Sequence, residues 1–221
     1  MLMSIRVEVW GKYACFSRPE MKVERVSYDV MTPSAARGIL EAVYWHPGLR
    51  WHIDAIYVRN PIKFTNIRRN EVKSVITSSN VRTVMMGGKK DLFLDTHAEI
   101  QQRAAMVLQD VRYIIEAHFT LTDRAAPGDN HGKFQDIMKR RLSRGQCYHN
   151  PYFGCREFPV SFRQFQGEIP PVDETLQGEK DLGWMLYDMD YADLEDIQPK
   201  FFRAVMKDGK IDTRESEVHL V

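Results

Sequence analysis

The sequence predicts an α+β fold, and three observations predict it. Several stretches alternate apolar and polar side chains with period two, the clearest being "VRYIIEAHFTLT" at residues 111–122. Two other stretches place apolar residues at i, i+3, i+4 and i+7 between helix start and stop signals. Strand-like and helix-like segments are mixed along the chain, with no repeat of fixed period. At 221 residues the chain is long enough for one large domain or two small ones with a real core.

"SIRVEVW" alternates and gives the first strand. "TPSAARGILEAVYWHP" gives the first helix. Thr32 is a good N-cap, and Pro33 suits the first helical position because its missing N–H would be unpaired there anyway. Ala36, Ile39, Leu40 and Val43 form the core-facing stripe. Pro47-Gly48 ends the helix, which puts Tyr44 and His46 at its C-terminal end. "LRWHIDAIYVRNP" alternates as a strand closed by Pro61. "IKFTNIRRNEVKSV" is a more exposed strand, "VRTVMMGGKKDLFL" a hairpin or loop with Gly87-Gly88 at its tip, and "DTHAEIQQRAAMVLQ" fits helix and strand equally.

In the strand that follows, Tyr113, Ile115, Ala117, Phe119 and Leu121 fall on one side. Arg112, Ile114, Glu116, His118 and Thr120 fall on the other. "HGKFQDIMKRRLSRG" is a second helix with Phe134, Ile137, Met138 and Leu142 as its stripe and Gly145 as its stop. Lys139, Arg140 and Arg144 lie away from that stripe. "GCREFPVSFRQF" reads as a strand with Phe158, Val160 and Phe162 on one face. Residues 168–182 read as a linker, and "LGWMLYDMDY", "KFFRAVM" and "KIDTRES" as three short strands, the last two joined by a tight hairpin at Asp208-Gly209.

With residues 62–110 set aside as an insertion, the order is strand, helix, strand, strand, helix, strand. This is the β-α-β-β-α-β order of a ferredoxin-like fold. Its first and third strands are the central pair, so His118 is expected in mid-sheet near the first helix. Residues 1–165 would form this domain, with the insertion at about 62–110, and residues 166–221 a small three-stranded antiparallel sheet. Such a fold hosts many functions, so the order alone assigns none.

Composition narrows the classes. No apolar run approaches the roughly 18 residues of a membrane helix, and "MLMSIRVEVW" lacks a signal-peptide layout. A cytoplasmic protein is expected. The three cysteines, Cys15, Cys147 and Cys155, contain no C-x-x-C pair and make no disulfide framework. Cys147, His149 and Cys155 lie close in sequence, but no fourth ligand is spaced to complete a zinc site, so no metal or cofactor is expected. The net charge is +1, yet its distribution is uneven. From His131 to Arg163, seven lysines and arginines face only Asp136 and Glu157; from Glu168 to Asp196, ten acidic residues face Lys180 alone. A basic block followed by an acidic one fits one surface made for a polyanion and another that is not.

"FSRPEMKVERVSYDVMTPSAARGILEAVYWHPGLRW" together with "RGQCYHNPYFGCREFPVSF" resembles the CRISPR-associated RAMP proteins of type I-C (Dvulg subtype), the fifth Cas family. The resemblance covers essentially the whole chain. It implies a RAMP (RRM-like) domain followed by a small antiparallel sheet. It also implies an endoribonuclease that binds the hairpin of the CRISPR repeat transcript and cuts at the base of the stem without metal, leaving a 2′,3′-cyclic phosphate and a 5′-hydroxyl. Such a protein then holds the 5′ handle of the guide RNA in the interference complex, beside the backbone and large subunits. The family's site is associated with a tyrosine at the end of the first helix and a lysine–histidine pair on a later strand. Tyr44 matches the tyrosine and His118 the histidine, while Ala117 stands where the lysine is expected.

The chemistry fits these residue types. Cleavage by the 2′-hydroxyl needs that group deprotonated, the 5′-oxygen protonated and the charge on phosphorus stabilised. Histidine titrates near neutral pH, whereas tyrosine stays a donor. His118 is therefore the expected general acid or base, and Tyr44 the positioning group or its proton-transfer partner. Arg112, on His118's face, is a substitute for the absent lysine, as are Arg37, Arg50, Lys89 and Lys90. His46 is a reserve catalytic candidate or a helix-end cation. Lys139, Arg140, Arg141, Arg144 and Arg156 are expected to contact the RNA backbone, and the "GGKK" tip with Lys89 and Lys90 to hold a phosphate. Tyr148, Tyr152 and Phe153 either stack unpaired bases or pack a core or subunit interface. A non-catalytic RNA-binding scaffold of the same complex is the alternative; a metal-dependent DNA nuclease lacks a carboxylate cluster. The nuclease reading requires His118 and Tyr44 to meet in one pocket.

Overall fold

A computed structural model describes residues 4–21, 23–191, 193–214 and 218–220. In chain order the elements are β1 (Ile5–Ala14), α1 (Pro33–Val43), β2 (Leu49–Val58), β3 (Phe64–Val72), α2 (Ser78–Met85), β4 (Ile100–Leu121), α3 (His131–Arg144), β5 (Ser161–Gln164), β6 (Glu179–Asp190), β7 (Gln198–Lys207), β8 (Lys210–Asp212) and β9 (Val218–Leu220). The fold is α+β, dominated by one nine-stranded sheet in the order β5-β1-β4-β2-β8-β7-β6, with β3 added beside β4 and β9 beside β7. Every ladder between these strands is antiparallel.

Alternation decides which side chains meet the helices. Val7 pairs with Ile115, Val9 with Tyr113 and Ile5 with Ala117, while Trp51 pairs with Phe119 and Ile53 with Ala117. All of these are buried, together with Ala36, Ile39, Leu40 and Val43 of α1 and Phe134, Met138 and Leu142 of α3. They form one core between the sheet and the two helices. The opposite face carries Arg6, Glu8, Trp10, Arg112, Glu116 and His118, with Arg6 opposite Glu116, Trp10 opposite Arg112, Glu8 opposite Arg163 and His118 opposite His52. A bulge at Asp54, between Ile53 and Ala55, resets the β2 register so that Ile56 and Val58 still reach the core.

Both amphipathic helices form where their caps place them. Thr32 accepts a hydrogen bond from the Ala35 N–H and Pro33 opens α1, while Asn130 caps α3 and Gly145 closes it. The insertion differs from expectation. Residues 100–110, compatible with either helix or strand, extend β4 to 22 residues because β3 pairs with this half from Val72↔Ile100 to Phe64↔Leu108. The segment expected as a hairpin or loop, residues 81–94, begins inside α2, which is capped by Thr77 and has none of its residues buried, and is a loop from Met86 onward. At eight residues α2 is too short for a helical period to stand out from the Gly87-Gly88 turn signal that follows it.

Two further corrections concern the C-terminal part. The strand expected over residues 154–165 is only β5, because the Phe153 and Phe158 N–H groups bond to the carbonyls of Phe158 and Cys155 and fold residues 153–158 into a turn. The tail strands continue the first sheet, since β8 lies beside β2 with Ile56 opposite Ile211. β6 begins at Glu179, inside the expected linker. The hairpin at Asp208-Gly209 is present, with both residues at positive φ as a two-residue type I′ turn needs. Residues 215 and 216 of the last expected strand lie outside the described residues. No helix among the described residues is long and apolar enough to cross a membrane.

Candidate active site

Tyr44 follows the last residue of α1 and adopts an extended conformation. Its N–H bonds to the Leu40 carbonyl at 2.8 Å, and its own carbonyl accepts from the Trp51 indole at 3.0 Å. The ring is buried on the helix-covered face, 6.0 Å from that of Phe134. Arg141, one turn from the end of α3, lies 4.9 Å over the Tyr44 ring and donates to the Val43 carbonyl. Burial pushes the phenol above its usual value, against the opposing charges of Arg141 and Lys133, so Tyr44 is a hydrogen-bond donor at neutral pH.

Phe134 is the hub of a larger cluster. Its ring also touches His46, at 4.9 Å, and Phe119, at 6.2 Å. Phe119 in turn stacks on His131 at 5.3 Å. Asp129 joins the charges: it binds Lys133 Nζ at 2.7 Å and lies 3.8 Å from His46 Nδ1. His46 Nδ1 accepts the Gly48 N–H at 3.0 Å, so the neutral ring carries its proton on Nε2. Gly48 is required here, because a Cβ would lie 2.7 Å from the Ala125 Cα.

Tyr44, His46, His131 and Lys133 thus surround the first turn of α3. His131 and Lys133 are exposed on that turn. The N-terminus of a 14-residue helix adds N–H groups and a favourable dipole for an anion. In the Asp129–Lys133 pair the carboxylate is covered and also accepts the Ala126 N–H at 2.8 Å, while the Lys133 side chain stays about half exposed.

His118 does not join this cluster. Phe119 points to Phe134 and His131, so the preceding residue on the strand points to the other face. There His118 Nδ1 bonds Asp54 Oδ1 at 2.8 Å and its ring stacks on His52 at 5.0 Å. His52 bonds Thr120 Oγ1 at 2.9 Å. The expected meeting of Tyr44 and His118 is therefore corrected: the sheet lies between them, so the residue pair on which the sequence reading rested the nuclease assignment does not form, and any nuclease site has to be built from other residues. Ala117 is fully buried in the core, where a lysine would be unpaired. Arg112 stands six residues from His118 on β4, roughly 20 Å along a strand, and pairs with Glu8 at 3.2 Å. Arg37 is held by Asp188 and Glu41. Lys89 and Lys90, though exposed, follow α2 at the end of β4 remote from Phe119. The lysine beside the tyrosine is Lys133. In the sequence Lys133 counts only within the basic block of residues 131–163, and its closeness to Tyr44 is missed because α3 brings it there.

Among the expected RNA contacts, Lys139, Arg140, Arg144 and Arg156 are exposed. Arg141 instead turns inward to Tyr44. Phe153 is fully buried, against Phe16 and Tyr113, and packs the core, while Tyr148 is exposed. Cys147 and Cys155 diverge, toward Asn150 and Cys15 respectively.

The model of the family described as CRISPR-associated protein (Cas_Cas5), in its Cas5d form, matches residues 4–214. The chain belongs to this family of CRISPR-associated proteins. It is 48% identical over 216 residues, 96% of this chain and 95% of the relative, to the CRISPR pre-crRNA endoribonuclease Cas5d of Mannheimia succiniciproducens. A protein of the same name from Thermus thermophilus is 43% identical over 86% of this chain and 74% of its own length. These place the chain in the type I-C branch of the family. A crystal structure of a CRISPR-associated protein shares the fold, with a TM-score of 0.69 over 98% of this chain and 96% of the other at 23% identity.

Proposed function

We propose that this protein is a metal-independent endoribonuclease that binds the hairpin of CRISPR repeat RNA and cleaves at the base of its stem. The products are guide RNA with a 2′,3′-cyclic phosphate and 5′-hydroxyl ends. The protein keeps the 5′ handle within a type I-C interference complex, in contact with its backbone and large subunits. The observation that carries this reading is the gathering of Tyr44, His46, His131 and Lys133 at the first turn of α3, in a chain 48% identical to a protein named for this activity.

The roles follow from the chemistry. The scissile phosphate sits against the α3 N-terminus and Lys133, which stabilise the charge that develops on phosphorus. His46, with its proton on Nε2, and the Tyr44 phenol are the donors toward the 5′-oxygen and a non-bridging oxygen. His131, exposed and backed by Phe119, takes the proton of the 2′-hydroxyl. Arg141 holds Tyr44. Lys139, Arg140, Arg144 and Arg156 carry the RNA backbone, a term that falls steeply with salt. The strand order β5-β1-β4-β2, with both main helices on one face, supports the ferredoxin-like reading of the N-terminal part.

The deciding experiment incubates the protein with repeat hairpin RNA in excess EDTA. Specific cutting at the stem base that Lys133→Ala abolishes supports the enzyme. Tight binding without product identifies the non-catalytic scaffold instead, and cutting that EDTA silences removes the metal-independent mechanism.

A further inference from the structure

Cys15 follows the end of β1, and Cys155 lies 140 positions later in the turn that precedes β5. Backbone geometry brings them together. The Cys15 N–H donates to the Phe153 carbonyl at 3.0 Å. Gly154, at φ +77°, passes so close to the Cys15 carbonyl that a Cβ would lie 2.0 Å from its oxygen. Only glycine permits that approach, and it sets Cys155 Sγ 3.9 Å from the same oxygen. The Cys155 thiol thus lies against the backbone of Cys15, and the two side chains are close enough to perturb each other's ionisation.

The two sulfurs are not equivalent. Cys155 is half-buried and faces Arg25, whose Nη1 lies 3.9 Å from its Sγ. The neighbouring Cys15 thiol, with help from Arg25 and Arg69, pulls the Cys155 thiol below its ordinary value against the effect of burial. Cys15 is buried, and its contact with Cys155 pushes its thiol up. A partly exposed thiolate beside a protonated second thiol is the arrangement that peroxide-responsive pairs use.

We propose that Cys15 and Cys155 are a peroxide-responsive pair that closes into a reversible disulfide, with Cys155 oxidised first. The Cys155 thiolate attacks a peroxide oxygen. The O–O bond breaks, a sulfenic acid forms, and the departing oxygen takes up protons and leaves as water. Cys15 sulfur then attacks the Cys155 sulfur; the S–S bond forms and the S–O bond breaks. The hydroxide leaves with the Cys15 proton as a second water. The two thiols lose two electrons and two hydrogens, and hydrogen peroxide is reduced to two waters. The link ties the end of β1 to the 153–158 turn.

The full chain is treated with low hydrogen peroxide, then analysed by free-thiol titration, intact mass and peptide mapping. Expected are the loss of two of the three thiols, a mass lower by two hydrogen atoms and a peptide linking Cys15 to Cys155, all reversed by dithiothreitol. C15S should stop at a sulfenic acid on Cys155 that dimedone traps, and C155S should keep its thiols at the same dose. The link should raise the unfolding midpoint by roughly 5 °C or more. A link through Cys147, sulfinic acid at Cys155 of the unaltered chain without a link, or three intact thiols after the treatment would overturn the proposal.

Discussion

Two histidine-bearing regions flank the C-terminal half of β4, and they use the same residue types to opposite ends. On the open face, His118 is tied to buried Asp54, His52 to Thr120, and the neighbouring charges pair among themselves as Arg6–Glu116, Lys210–Asp212 and Arg214–Asp212. On the helix-covered face, aromatic rings form a floor under Tyr44, His46 and His131, and the nearby cation, Lys133, pairs with the covered carboxylate of Asp129 while its own side chain stays about half exposed. The first network spends its polar groups on holding strands together. The second leaves His131 and Lys133 exposed at a helix N-terminus, with His46 half-buried and Tyr44 buried beside them. A histidine on a central strand is therefore a weaker pointer to chemistry than one beside a tyrosine, a lysine and a helix dipole.

The largest expected effect breaks this contrast outright if it fails. Lys133→Ala and Tyr44→Phe should each slow cleavage of repeat RNA by about 10²- to 10⁴-fold under single-turnover conditions. His118→Ala should slow it by less than about tenfold, the range left to an indirect effect. A loss in His118→Ala as deep as that in Lys133→Ala would move the chemistry to the open face.

The next effect concerns stability. Asp54→Ala leaves the half-buried imidazole of His118 without its partner, a loss of about 1–3 kcal/mol, measurable as a lower urea midpoint. The rate per folded molecule should hold. An unchanged midpoint together with a lost rate would reverse the assignment of the two faces.

Much of this was legible in the sequence. Thr32 and Pro33 marked the start of α1, alternation sorted Ile115 and Ala117 from Glu116 and His118, and Asp208-Gly209 marked its hairpin. Tyr44 and His46 were placed correctly at the end of α1. What alternation also contained, and what only the fold makes plain, is that His118 and the helices cannot share a face when Phe119 packs on Phe134. Lys133 was hidden for a different reason. Its closeness to Tyr44 arises from α3 packing across α1, a contact between residues 89 positions apart, and no local pattern encodes it. The 22-residue length of β4 was likewise set by pairing with β3, since "AEIQQRAAM" has no clean period of its own.

A smaller effect sharpens the helix-covered side. Arg141 stacks on Tyr44 and binds the Val43 carbonyl, and lysine reproduces the charge but not the planar fork. Arg141→Lys should lower the cleavage rate by about tenfold, the scale of one lost cation–π contact, with hairpin affinity nearly unchanged in a binding titration. Arg140→Glu, on the exposed side of the helix, should do the reverse, weakening binding more than turnover and reducing the salt slope. Equal losses of affinity in both variants would mean that Arg141 contacts RNA rather than positioning the phenol.

The smallest effect tests the open face by titration. Burial, with the nearby His118 and Arg50, holds the His52 imidazole below its ordinary value. In the unfolded chain the ring titrates near roughly 6.5. As pH falls through that value, the unfolded chain takes up a proton at this position that the folded chain still refuses. The unfolded state then binds more protons, so stability declines toward acid until the folded ring also titrates. Above neutrality the ring is uncharged in both states and contributes no slope. His52→Gln removes this titration, and urea midpoints followed from about pH 7.5 to 5.5 should fall less steeply in the variant than in the unaltered chain. Parallel slopes would mean that water reaches His52 in the folded protein. An imidazole pair so hydrated would be open to a phosphodiester as well, and His118 would regain its claim to the reaction.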